Sequence, residues 1–236
     1  MNSSDPYRIP GLELIDHSFE APLDYRNPGG RQIGLFVREV RDLDPKSLEK
    51  PFLVFLQGGP GFRAPSPIQK TGWLKRALTE YRVLMYDTRG NGLSTPVDYQ
   101  TLGLEGDAAA QAEYLTHFRQ DNIVRDAELI RSHMSPEIPW STIGQSFGGW
   151  CTMTYLSLHP EGLKECFIFG GVPGLERTAR EIYEGTFPFV EERNRKYFEK
   201  FPMDKARLTK LARHLEEKEV FFPNGDRITP RMVQTL

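Results

Sequence analysis

Cysteine is scarce in this chain, with only Cys151 and Cys166 among 236 residues. That excludes a disulfide-stapled scaffold and leads us to expect a reduced, cytoplasmic setting. Charge of one sign is missing too, since 30 Lys+Arg stand against 32 Asp+Glu for a formal net charge of -2. A dedicated nucleic-acid binder normally declares itself by a basic excess, so no nucleic-acid partner is expected. No run of about 18 apolar residues occurs, so nothing reads as a membrane span. The opening Met1-Asn2-Ser3-Ser4-Asp5-Pro6 lacks the basic and apolar regions of a signal peptide. Internal repeats and low-complexity tracts are absent as well. Hydrophobic residues make up 39%, which is ordinary for a folded globule. The length allows one large domain, or one domain and part of another.

What is present divides near residue 50. Before it, Leu12-Glu13-Leu14-Ile15 runs into an extended segment ending near Tyr25, and Asn27-Pro28-Gly29-Gly30 makes a turn. The return strand from Gln32 to Val40 places Ile33, Leu35 and Val37 on one face, the period-2 mark of a half-buried antiparallel strand. After it come four short apolar runs: Phe52–Leu56, Tyr81–Tyr86, Trp140–Ile143 and Cys166–Phe169. Each is stopped by a turn-forming stretch, and apolar strands without alternation are expected to be buried on both faces of a parallel sheet. Helical patterns fall between and after them: Pro67 to Leu78, a long segment from about Gly106 to His133, and Phe147 to Leu158. Strands alternating with helices predict an α/β fold with a mostly parallel sheet and antiparallel N-terminal strands. Residues 1–172 are assigned to this core. From 173 to 236 the composition shifts to Arg, Lys and Glu with scattered aromatics, which predicts amphipathic helices.

Three turn sequences carry chemistry. Gly144-Gln145-Ser146-Phe147-Gly148 matches G-x-S-x-G where an apolar strand meets a helix, the setting of a nucleophile elbow. Its glycines leave room for a tight turn, and Gly149 adds a third small residue. Gln57-Gly58-Gly59-Pro60-Gly61 ends the first apolar run. Acyl transfer needs backbone N–H donors aimed at the developing oxyanion, and the candidates are Phe147 with Gly58 or Gly59, since Pro60 has no N–H. Asp87-Thr88-Arg89-Gly90-Asn91-Gly92-Leu93-Ser94 ends the second run. Asp87 precedes the serine, so Asp87 and Arg89 read as braces of their loop.

Together these stretches resemble α/β-hydrolases of the prolyl aminopeptidase (proline iminopeptidase) family, in particular its larger members. The likeness is strong from Pro51 to about Gly174 and looser in the helical segment; Gln57 stands where the family usually has histidine. The resemblance implies a serine peptidase that removes N-terminal proline from short peptides through an acyl-enzyme on Ser146, with no metal and no cofactor. It also implies that the helical segment is a cap whose acidic residues bind the substrate's free amino group. Glu181, Glu184, Glu191 and Glu192 lie in that region, and the sequence does not choose among them. Cys151, five residues past Ser146, reads as core.

A triad on this fold runs Ser, then Asp or Glu, then His. The 90 residues after Ser146 hold two histidines. His159 lies at the far end of the helix that Ser146 begins, roughly 20 Å away, and His214 falls in the charged helical segment. His133 belongs at the opposite edge of the sheet, and nothing in the pattern places His17 or His117. Glu176, Asp204 and Asp226 have no partner as triad acid. The expectation is an N-terminal portion of such a hydrolase, ending inside the cap without its C-terminal core strands. A second chain would then carry the missing part, and this chain alone would be marginally stable. The alternatives are a catalytically silent hydrolase-like chain and an esterase on the same fold.

Overall fold

The computed structural model describes residues 1–172, 174, 176–223 and 227–233. It divides into two compact units, Met1–Pro173 and Gly174–Leu236. In the first unit the strands are β1 (Asn2–Ser3), β2 (Tyr7–Ile9), β3 (Leu12–Pro22), β4 (Gln32–Arg41), β5 (Phe52–Leu56), β6 (Arg82–Asp87), β7 (Trp140–Gln145) and β8 (Leu163–Phe169). They form one sheet in the order β1-β3-β4-β6-β5-β7-β8, with β2 also on β3. The β3, β4 and β6 pairings are antiparallel, and β6, β5, β7 and β8 run parallel. The short β1 and β2 left no sequence signal.

The helices of this unit are α1 (Gly72–Ala77), α2 (Tyr99–Leu102), α3 (Ala108–Thr116), α4 (Gln120–Met134) and α5 (Phe147–Leu158). Two apolar clusters lie on the sheet. One joins Phe52, Val54 and Leu56 to Ile123, Ala127, Ile130, Cys151 and Tyr155 under α4 and α5. The other joins Leu53 and Phe55 to Val83, Met85, Leu74 and Leu78. Alternate residues of β5 therefore enter different clusters, which is why its sequence is apolar without a break.

Three expectations are corrected. The helix expected over Pro67–Leu78 is confined to α1, because Gly72 takes φ +55° and breaks continuity with anything upstream. The long segment from Gly106 to His133 is two helices. The His117 carbonyl leaves the helical ladder to accept from Arg89 Nη1 at 2.8 Å and Asn122 Nδ2 at 3.0 Å. The fourth apolar run is not buried: β8 pairs along its length only with β7 among the described residues, and Phe167 and Phe169 are 40% and 56% exposed.

The second unit contains α6 (Ala179–Lys200), α7 (Pro202–Glu217), a two-stranded ribbon of β9 (Val220–Phe221) and β10 (Arg227–Ile228), and α8 (Pro230–Val233). Thr178 and Glu181 close a capping box at the start of α6. No helix among the described residues is long and apolar enough to cross a membrane.

Candidate active site

The site is built where two neighbouring strands end. β5 and β7 are paired in parallel with Leu56 opposite Gly144, so the loop after β5 and the turn after β7 emerge side by side. Ser146 sits on that turn as the N-terminal cap of α5 with φ 52° and ψ -116°, and no other non-glycine residue described has positive φ. Such a conformation is sterically costly for a residue with a Cβ and persists only where its surroundings enforce it. The enforcement is visible. The Ser146 amide donates to the Phe169 carbonyl of β8 at 2.8 Å, and its own carbonyl accepts from Gly149 at 2.9 Å. A Cβ on Gly148 would meet the Leu56 carbonyl oxygen at 1.8 Å, one on Gly144 the Gly148 oxygen at 2.4 Å, and one on Gly171 the Ser146 oxygen at 2.2 Å. The glycines of G-x-S-x-G therefore let the elbow press against β5 and its own helix. Ser146 is half-buried, and its hydroxyl has no hydrogen-bond partner among the described residues.

The β5 loop lies against the serine, since a Cβ on Gly58 would come within 3.0 Å of Ser146 Cβ. Gln57 organises this loop by accepting the Gly58 amide on Oε1 at 2.9 Å and donating from Nε2 to the Arg63 carbonyl at 3.3 Å. Two amides named from the sequence stay open. Phe147, as the first helical residue, has no intrahelical acceptor, and neither it nor Gly59 donates a hydrogen bond among the described residues. Of the two loop glycines named from sequence, the Gly58 amide is engaged and the Gly59 amide is not.

The third turn is a brace. Asp87 accepts from the Ala64 and Leu93 amides, each at 2.8 Å, and its carbonyl accepts from the Ser94 hydroxyl. Arg89 is wholly buried against Asp126. Neither side chain is free for chemistry.

Two clefts meet at the elbow, with Pro60, Phe118 and Phe147 lining both. The smaller, about 160 Å³, adds the apolar side chains Phe62, Val97 and Leu115. The larger, about 960 Å³, adds Trp150, His117 and the charged residues of the α3–α4 junction. Sequence reasoning gave no role to this junction, because its charges carry no pattern until α3 and α4 are seen to break there.

The other candidates stand elsewhere or apart. His17 is buried between Ser3 Oγ at 2.8 Å and Glu39 Oε2 at 3.3 Å. His133 packs edge-on against Phe19 with ring centroids 6.0 Å apart. His159 closes the far end of α5, and His117 lines the larger cleft with its Nε2 4.0 Å from Glu113 Oε1. Within the second unit Glu184 is paired with Arg180 at 2.8 Å, and Glu192 with Arg195 at 2.7 Å. The Arg195 and Lys196 side chains hold the Glu192 carboxyl down to about 2. Glu191 is exposed and makes no ion pair among the described residues. Asp226 lies outside the described residues. No cluster of His, Cys, Asp and Glu that could hold a metal ion occurs among the described residues.

A mixed sheet whose parallel strands carry a strained serine at a strand-to-helix turn is the architecture of an α/β hydrolase. The chain belongs to that family: a family profile described as the alpha/beta hydrolase fold matches residues 51–233. Within it the chain is similar to the proline iminopeptidase of Aeromonas sobria, at 46% identity over 235 residues, covering 99% of this chain and 55% of that protein. The proline iminopeptidase aneH of Aspergillus aculeatus is 36% identical over 228 residues, covering 92% of this chain and 50% of its own length. A tripeptidyl aminopeptidase of Streptomyces lividans is 27% identical over 179 residues, covering 62% and 33%. The chain thus spans about half the length of the proline iminopeptidases it matches so broadly.

Proposed function

We propose that this is the nucleophile-bearing part of a serine aminopeptidase that releases N-terminal proline from short peptides. The observation that carries the reading is Ser146, held at φ 52° beside the open amides of Phe147 and Gly59. The serine hydroxyl adds to the carbonyl of the first residue, and the resulting oxyanion accepts from the Phe147 and Gly59 N–H groups. The amine of the remaining peptide departs with a proton, and water then hydrolyses the acyl-enzyme. The names of the two broadest relatives support proline as the released residue. We assign the activating acid and histidine to residues outside those described here, on a further segment or a second chain. Glu184, Glu191 and Glu192 stay the candidates for binding the substrate's amino group, as the family resemblance implies. The two free cysteines support a reduced, cytoplasmic setting.

The test is hydrolysis of a prolyl arylamide by the complete gene product, with fluorophosphonate labelling read by peptide mass. Labelling at Ser146, lost together with turnover in Ser146→Ala, is the expected result. A complete gene product that neither labels nor hydrolyses is a catalytically silent relative. Hydrolysis of simple esters alone would make it an esterase on the same fold.

A further inference from the structure

The larger cleft at the elbow has a charge that its own residues do not cancel. Five ionised side chains line it: Asp24, Arg26, Arg119, Asp121 and Arg125. Four of them pair off, Arg26 with Asp24 at 3.0 Å and Arg125 with Asp121 at 2.6 Å. Arg125 also donates to Asn122 Oδ1 at 2.7 Å. Arg119, exposed at the break between α3 and α4, makes no ion pair, side-chain hydrogen bond or ring contact among the described residues. A guanidinium is permanently charged, with a planar fork of donors suited to a carboxylate. The same cleft is lined by Phe118, Phe147 and Trp150, the last two with ring centroids 6.5 Å apart.

The two clefts also differ in what they can hold. The smaller, about 160 Å³ and flanked by Phe62, Val97 and Leu115, suits one compact apolar side chain. The larger, about 960 Å³, has room for the rest of a short peptide and carries the unpaired charge. Both reach Phe147, whose amide faces the reacting carbonyl in the proposed reaction.

We propose that Arg119 forms a binding subsite for the C-terminal carboxylate of the leaving peptide, so that the site favours short peptides with a free terminus over their amides. This rests on the aminopeptidase reading above. Arg119 acts on specificity and takes no part in bond making.

The experiment compares kcat/KM for Pro-Ala and Pro-Ala-Ala with that for their C-terminal amides, in the complete gene product. The wild type is expected to prefer the acids by about fivefold, the scale of a partly exposed ion pair. Arg119→Gln should bring the ratio close to one, and Arg119→Lys should keep part of it. In parallel, Ser146→Ala protein is titrated with Ala-Phe and with its amide. Ala-Phe should bind about fivefold tighter, and Arg119→Gln on that background should equalise the two. An acid-to-amide ratio that Arg119→Gln leaves unchanged overturns the proposal, as does wild-type indifference in both assays. A preference regained by Pro-Glu-amide would place the ligand on an acidic side chain and overturn the assignment to the terminus. Wild-type failure on every prolyl peptide would sink the aminopeptidase reading, while the binding titration would still decide the subsite.

Discussion

Arg89 and Asp126 meet side-on in the core, Nη2 to Oδ1 at 2.6 Å and Nε to Oδ2 at 2.7 Å, with neither side chain exposed. The rest of the guanidinium donates to the carbonyls of Pro22, Leu23 and His117 at 3.2, 2.9 and 2.8 Å. The carboxylate also accepts from the hydroxyls of Tyr25 at 2.7 Å and Tyr86 at 3.2 Å. Every donor of the arginine is thereby used, and one buried pair ties the end of β3, the turn after β6 and the break between α3 and α4. Those elements frame the larger cleft, so this pair holds its shape.

Removing either partner should therefore be costly. Arg89→Met or Asp126→Asn leaves a buried charge or donor unmatched, and a loss of about 3–5 kcal/mol is expected. Tyr25→Phe removes one hydrogen bond from the same carboxylate and should cost about 1 kcal/mol. Arg8→Gln, which breaks an exposed pair with Glu13, should stay within about 1 kcal/mol. Urea midpoints of the four variants check the ranking; an Arg89→Met variant as stable as Arg8→Gln would contradict it.

The elbow glycines make a second, steric prediction. Gly148→Ala drives a methyl to within 1.8 Å of a backbone oxygen on β5, where no flexible side chain can yield. We expect no soluble folded protein from it. Gly29→Ala, in a turn with nothing within 4 Å of the new Cβ, should express and melt like the wild type. Expression and circular dichroism of the two variants suffice as the check.

Much of this was legible from residues alone, and the limits have physical causes. β5 and β6 announce themselves because both their faces are buried, and α5 because Gly144 and Pro160 bracket it. β8 misled, because an apolar run carries the same letters at a covered position and at a sheet edge; only pairing distinguishes them. Ser146 was legible since glycines on both sides are required by contacts that any such turn makes. Which of the Gly58 and Gly59 amides is engaged was not, because it depends on where the Gln57 side chain points. Arg119 was also beyond sequence, for its significance lies in which neighbours pair with each other and leave it out.

The two cysteines should react differently. Burial on the sheet-facing side of α5 pushes the Cys151 thiol up to about 12, so it carries almost no thiolate at neutral pH. Cys166 is partly exposed on β8. Iodoacetamide at pH 8 followed by peptide mass analysis should alkylate Cys166 and spare Cys151 until the protein is unfolded. Equal labelling of both in the native state would mean that α5 opens readily.

Glu128 gives the chain an acid-sensitive contact. Burial raises its carboxyl, but Arg131, with a contact of 2.5 Å, and the Tyr155 hydroxyl at 2.8 Å outweigh that and hold it below its ordinary value. A lowered folded pKa means that the unfolded chain takes up the proton first as pH falls. The stability this group adds is present above its unfolded pKa of about 4.3 and is lost as pH drops through its folded value. Glu128→Gln should therefore lower the melting temperature at pH 6 and have progressively less effect as the pH falls below about 4. A destabilisation that stayed constant over that range would show packing, not charge, to be the cause.

The serine itself offers the sharpest test, because its backbone and its chemistry pull in opposite directions. At φ 52° and ψ -116°, Ser146 occupies a region where a Cβ costs about 1–3 kcal/mol and glycine costs little. Ser146→Ala removes the hydroxyl and keeps the Cβ, so it should be about as stable as the wild type. Ser146→Gly removes both and should be more stable by about 1 kcal/mol, after the entropy that glycine costs the folded state is subtracted. Both should abolish fluorophosphonate labelling in the complete gene product. Denaturant midpoints that rank Gly above Ala mean that strain is held at the nucleophile by the surrounding fold. If Ser146→Gly is no more stable than Ser146→Ala, the turn bears no such strain, and the serine's placement owes nothing to it.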